Sequence, residues 1–279
     1  MAEDKAARYL LPPYRVRARN TSATSENKIH DDRTAARYGF RGGLVPGVTV
    51  YAYMTAPLVA RFSDAWLERG SMQVKFHQPF YEGEEVTVRA EVDADCDPIK
   101  VAVRAEREDG TACATGLATV DDQSEWLGRP LLDDYPVRPL PSPESRPPAS
   151  REYIVKGAAL GTLTERLDLT DSTMLGQIGE RLPVYFGRGA VAHPALLLGL
   201  ANQILMLNFQ LGPWIHTASD LINLGAARDG EEISVRGRVD DLFERKGHEF
   251  VRLDLLLAAD GGRVIQRVRH TAIYRIADR

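Results

Sequence analysis

The sequence predicts an α+β fold made of two copies of one unit, each a long buried helix set against an antiparallel sheet. Three observations carry this. The run Val48–Ala60 is apolar or weakly polar on every face, with no charge until Arg61, as for a helix enclosed on all sides. Several short alternating segments follow it, separated by Asp/Gly-rich turns such as Glu108-Asp109-Gly110. The pattern then recurs. Gly83–Asp93 (GEEVTVRAEVD) is answered by Gly230–Asp240 (GEEISVRGRVD), identical at seven of eleven positions and offset by 147 residues. A second apolar run, Pro194–Phe209, starts 148 residues after Pro46. This offset far exceeds a solenoid period and reads as two copies of one domain. Two such units can join edge to edge and hide their open strands.

Taken in order, Tyr14–Asn20 alternates enough to form a first strand. A polar cluster centred on His30 comes next, then a short helix over Asp31–Tyr38 and a glycine-rich turn, Gly39 to Gly47. Pro46 suits the first turn of a helix, where its missing N–H would be unpaired anyway. The glycines before it permit a sharp entry. Val48–Phe62 is the central helix, and its first amides, near Gly47, offer a site for partial negative charge. Met72–Phe76, Val86–Val92, Val101–Ala105 and Ala112–Val120 read as strands. Prolines crowd the stretch from Leu127 to Arg151, an extended linker wrapped over the surface. Ile233–Val239, Val251–Leu257 and Val264–Tyr274 complete the second copy. The domains are therefore read as 1–126, a linker 127–150, and 151–279.

A net charge of -4 and a pI near 5.9 give no nucleic-acid or polybasic membrane signature. Cys96 and Cys113 are too few for a disulfide framework or a four-ligand zinc site. The opening residues lead into no apolar signal region, and no run approaches the ~20 apolar residues of a membrane span. A soluble cytoplasmic protein is expected, with neither nucleic acid nor membrane as partner.

The stretch Ser25-Glu26-Asn27-Lys28-Ile29-His30-Asp31-Asp32-Arg33-Thr34-Ala35-Ala36, followed by Gly39-Phe40, resembles the signature of the MaoC-like, or (R)-specific enoyl-CoA hydratase 2, group. That signature runs D-x-N-P-x-H-x-D-x-x-x-A, then G-F and a loop into the central helix. Asn27, His30, Asp32, Ala36, Gly39, Phe40 and Gly47 match. The resemblance implies the hotdog fold, a helix wrapped by a curved sheet, and the duplication implies a double hotdog. It further implies an acyl thioester as substrate, with no cofactor beyond the coenzyme A or carrier-protein phosphopantetheine that the substrate carries. A homodimer of double hotdogs is the assembly it allows. His30, Glu26, Ser25 and Asn27 fall in the catalytic segment; Gly47, Val45, Gly43 and Asp32 fall where the oxyanion and substrate would be held. The sequence departs from the signature at two places: Ser25 stands for the catalytic aspartate and Lys28 for the proline. Glu26 is the nearest replacement carboxylate, although on a regular strand it would face the other way. In the second copy Glu180-Arg181-Leu182-Pro183-Val184-Tyr185 keeps the spacing with Glu for Asp and Tyr for His, so the first copy retains more of the chemistry.

Hydration of a 2-enoyl thioester needs a base for water, an acid for the α-carbon and a donor for the enolate oxygen. His30 can exchange protons near neutrality; its structural alternative is a cap on the short helix. Asn27 is either a turn residue or a group orienting His30. His193 reads as a cap on the second helix, Tyr51 and Tyr53 as core, and His77 and His270 as core-edge or surface residues. Three functions compete. A lyase fits the signature. A hotdog thioesterase is disfavoured because neither apolar helix contains an acid. A non-catalytic thioester binder is favoured by Ser25. A carboxylate within reach of His30, from Glu26 or Glu180, would separate the first from the third.

Overall fold

The computed structural model describes residues 8–120 and 131–277. The first unit opens with β1 (Arg8–Leu10) and β2 (Tyr14–Arg17), then a single 3-10 turn, Lys28–His30. α1 (Asp32–Arg37) is capped by Asp31, whose carboxylate accepts from Thr34 N at 2.9 Å. That assigns the cap to Asp31 and frees His30 from the role. α2 (Gly47–Phe62) is buried without a break from Thr49 to Val59, as its apolar run requires. The short α3 (Asp64–Arg69) leads into β3 (Ser71–Phe76), β4 (Glu85–Asp93), β5 (Ile99–Glu106) and β6 (Ala112–Val120).

The second unit repeats this plan with β7 (Leu163–Arg166), α4 (Thr173–Ile178), α5 (Pro194–Asn208), β8 (Ile215–Asn223), β9 (Glu232–Arg245), β10 (His248–Ala259) and β11 (Arg263–Arg275). Among the described residues the strands join one antiparallel sheet of eleven, in the order β1-β4-β5-β6-β3-β8-β11-β10-β9-β7, with β2 also on β4. Apart from β1 the order is the same from either end. At the junction Gln73 pairs with Asp220, its own counterpart 147 residues on, so the approximate twofold passes through that pair. α2 packs on β4, β5 and β6, α5 packs on β9, β10 and β11, and the two helices touch each other. This is a double hotdog.

Residues 127–130 of the proline-rich stretch lie outside the described residues. The remainder runs along the second unit with two 3-10 turns, Leu132–Asp134 and Pro143–Ser145. Tyr135 anchors it: buried, it donates to Asp254 Oδ2 at 2.9 Å, and Arg238 and Arg267 hold the same carboxylate.

β1, α3, β7, α4 and, with most consequence, β8 are not among the elements that the sequence pattern predicts. Ser219, Leu221 and Asn223 of β8 are buried, so strict alternation would send Thr217 inward and His216 outward. The pairing with β11 slips here, however. Ala218 faces Thr271 and His216 faces Ala272, leaving Thr217 as an extra residue. This bulge turns His216 inward, where it is 8% exposed.

Candidate active site

His30 is fixed from both ends of its residue. Asn20 Nδ2 donates to its carbonyl at 2.8 Å, and its Nδ1 lies 2.7 Å from the Leu44 carbonyl. A carbonyl only accepts, so Nδ1 carries the hydrogen and the neutral ring leaves Nε2 as a lone pair. Burial lowers the imidazole below its ordinary pKa, against the opposing effect of the Leu44 bond. The ring is thus a neutral base at physiological pH.

Asn27 caps the 3-10 turn and crosses to the second unit. Its Oδ1 accepts from Ile29 N at 3.3 Å and from Trp214 N at 3.2 Å, and its Nδ2 donates to Trp214 O at 3.0 Å. The same Nδ2 lies 3.4 Å from His30 Nε2. Both readings of Asn27, turn residue and orienting group, meet in one side chain. Asp32 accepts from Gly43 N at 2.7 Å, and a Cβ on Gly43 would stand 2.1 Å from the His30 carbonyl oxygen. Gly43 and Asp32 therefore brace the loop behind His30 and do not line the cavity in front of it. Val45, tied to Phe80 O at 2.9 Å, does line it.

The two central helices begin differently. Pro46 precedes α2 without a side-chain cap, and Gly47 opens onto the cavity. At α5, His193 Nδ1 accepts from Ala195 N at 3.1 Å. The His193 Nε2–H then faces Glu180 Oε2 at 3.3 Å, and Glu180 Oε1 takes the Arg181 and Leu182 amides at 2.6 and 2.7 Å. The Tyr185 ring lies 4.5 Å from that of His193. His193 is the cap expected, and the second copy of the site is filled by its own side chains. Glu180 serves there and not beside His30.

The cavity in front of His30 measures about 550 Å³ and is built from both units. His30, Gly47, Val45, Phe76 and Phe80 come from the first; Asn202, Trp214, His216 and Ile273 come from the second. Lys246 and His248, at the tip of the β9–β10 hairpin, flank it. A cavity of this volume, lined by both apolar and polar side chains, suits a small-molecule ligand. Among the described residues no Asp or Glu lines it, and no group of three His, Cys, Asp or Glu side chains could hold a metal ion.

Ser25 and Glu26 lie elsewhere. Ser25 Oγ donates to Asn27 O at 3.3 Å outside the cavity, and the Glu26 side chain, 77% exposed, sits 3.8 Å from Arg146. The expected replacement of the missing aspartate by Glu26 does not match this geometry, because the chain turns its carboxylate to solvent. Of the other histidines, His77 lines the cavity with Nε2 2.7 Å from Thr115 Oγ1, and His270 is fully buried in the second unit. Trp214, His216 and Asn202 were not legible as site residues. The only sequence signal near them is a His two positions after a Trp, at a strand whose alternation is broken.

No family model and no curated protein matches the sequence. Solved structures do. A Chloroflexus aurantiacus protein described as a MaoC-domain dehydratase aligns with a TM-score of 0.66 at 11% identity, covering 96% of this chain and 95% of that one. A conserved Mycobacterium tuberculosis protein with a double hotdog fold aligns at 0.64 and 13% identity, covering 95% of each. A Lactobacillus plantarum protein described as an oleoyl thioesterase aligns at 0.51 and 11% identity, covering 98% of each. Together they are similar to this chain in its double hotdog fold. No helix among the described residues is long and apolar enough to cross a membrane.

Proposed function

We propose that the chain is a hydratase or dehydratase of acyl thioesters, with His30 as the proton-transfer base and the Gly47 amide as a donor to the thioester oxygen. The observation that carries this is the meeting of a neutral His30, its Nε2 unprotonated, and an uncapped helix start in one cavity. In the hydration direction His30 Nε2 takes a proton from water while the oxygen bonds to C3 of a 2-enoyl thioester. The C2=C3 pair moves through the carbonyl to an enolate oxygen held at the start of α2. The imidazolium then returns its proton to C2. With no carboxylate in the cavity, one histidine serves both transfers.

The missing carboxylate also favours a second reading, in which the cavity binds a thioester without turning it over. A thioesterase is supported less, because a carboxylate to activate water is absent both from the central helices and from the cavity lining among the described residues. The carrier is either coenzyme A or carrier-protein phosphopantetheine. Incubating the full-length protein with trans-2-enoyl-CoA of increasing chain length separates these: loss of enoyl absorbance marks the hydratase, release of free thiol marks the thioesterase, and binding with neither marks the binder.

A further inference from the structure

His216 has no part in the mechanism above, yet its ring lies against the first turn of α2. A Cβ on Gly47 would stand 2.8 Å from its Nδ1, and Nδ1 is buried without a hydrogen-bond partner. On the other side of the ring Nε2 lies 2.8 Å from Ser219 Oγ, which lies 3.2 Å from His270 Nδ1. His270 Nε2 is buried and likewise without a partner.

Two arrangements of hydrogens are open to this group, and each leaves one buried imidazole N–H without a protein acceptor. The contacts of Ser219 Oγ are with these two rings, so its single hydrogen finds an acceptor when it donates to one imidazole and accepts from the other. If it donated to His270, the remaining hydrogen of neutral His270 would sit on Nε2, a buried N–H with no acceptor. In the other arrangement the unpartnered hydrogen sits on His216 Nδ1; His216 lines the cavity and His270 does not, so only there can a ligand oxygen accept it. With such an acceptor in the cavity, Ser219 donates to His216 Nε2 and accepts from His270 Nδ1–H. Neutral His216 then carries its hydrogen on Nδ1, facing the open start of α2. Burial keeps both rings neutral, His216 being lowered further by the adjacent His270 against an opposing effect of the Ala218 backbone. The β-bulge at Thr217 is the backbone device that aims the ring, and bulges are over-represented beside active sites.

We propose that His216 is a catalytic residue whose Nδ1–H donates to the thioester oxygen beside the Gly47 amide, and that Ser219 and His270 are positioning residues that fix its tautomer. The inference rests on the thioester reading of the cavity. The donor keeps its proton throughout, so no group is transferred to or from His216.

The test uses the full-length protein with a 2,4-dienoyl-CoA, whose absorbance moves to longer wavelength when its carbonyl is polarised, alongside turnover of a 2-enoyl-CoA. Removing an oxyanion donor typically costs ~10²–10³-fold in kcat. His216→Leu, which keeps volume without a donor, should lose about that factor and most of the spectral shift, with little change in KM. His216→Asn, whose amide nitrogen can stand near Nδ1, should recover at least about tenfold of this loss and part of the shift. Ser219→Ala and His270→Phe should each reduce the shift in part, and they keep the proposal testable if a His216 variant does not fold. A folded His216→Leu protein with parent-like kcat and shift would overturn the proposal, as would a parent-like shift in Ser219→Ala and His270→Phe together. A parent protein that shifts the dienoyl spectrum without turnover refutes the lyase reading alone, and the variant shifts still decide His216. A parent that neither binds nor turns over refutes both.

Discussion

His30 is suited to base work by two neighbours acting in different ways. The Leu44 carbonyl selects the tautomer, and burial removes the charged form. Because burial lowers the pKa, the acid limb of kcat/KM should fall below the ordinary histidine value of ~6.5, with a plateau above it. A limb centred above that value would show that some other group titrates. Glu26 makes the opposite case. A carboxylate 77% exposed and 3.8 Å from Arg146 has no route to the cavity. Exchange of Glu26 for Gln should leave hydration at the parental rate, and a loss approaching the ~10²–10⁴-fold typical of general acid–base groups would restore it to the mechanism.

At the scale of elements, the two central helices show how one plan gives an open and a closed site. α2 begins at Pro46 with no side-chain acceptor, whereas the first amides of α5 are met by His193, itself held by Glu180. His193→Ala removes a cap worth ~0.5–2 kcal/mol and leaves Glu180 buried without its partner. Urea denaturation should show a loss of at least ~1 kcal/mol, with turnover per folded molecule unchanged. Unaltered stability would mean that the pair is not the plug described. The helices were legible because both are long apolar runs without a charge through their buried length, α2 being buried without a break from Thr49 to Val59. The strands β4 and β9 were legible because their repeat preserves alternation. β8 was not, for a physical reason. Its inward positions include His216 and Ser219, so polarity hides the pattern, and the bulge at Thr217 shifts the phase within the strand. In the site itself His30, Asn27, Val45 and Gly47 were legible from one contiguous segment. The contributions of Trp214, His216 and Asn202 depend on β3 pairing with β8, a long-range event that no local spacing reports.

Over the whole molecule the junction between units is also the place where the cavity forms. Asn27 bonds the Trp214 backbone across it, and β3 and β8 continue the sheet through it. Buried and half-buried histidines give the fold a pH dependence of definite sign. His30, His193, His216 and His270 all have depressed pKa values in the fold, chiefly through burial, His270 down to about 3. Once unfolded they bind protons below ~6.5. The unfolded state then holds more protons than the native one, so stability is full above that pH and falls as the pH drops through it. Each histidine contributes a slope of up to ~1.4 kcal/mol per pH unit until its folded value is reached. Urea titrations from neutral to mildly acid pH should show this decline, and His270→Phe should make it shallower. Constant stability across that range would mean the rings are charged in the fold.

One comparison bears most directly on the central claim: hydration of a trans-2-enoyl-CoA by the parent protein and by His30→Ala, each checked by circular dichroism. The account predicts turnover in the parent, a loss of ~10²–10⁴-fold in the variant, and superimposable spectra. Equal turnover in the two proteins would contradict it.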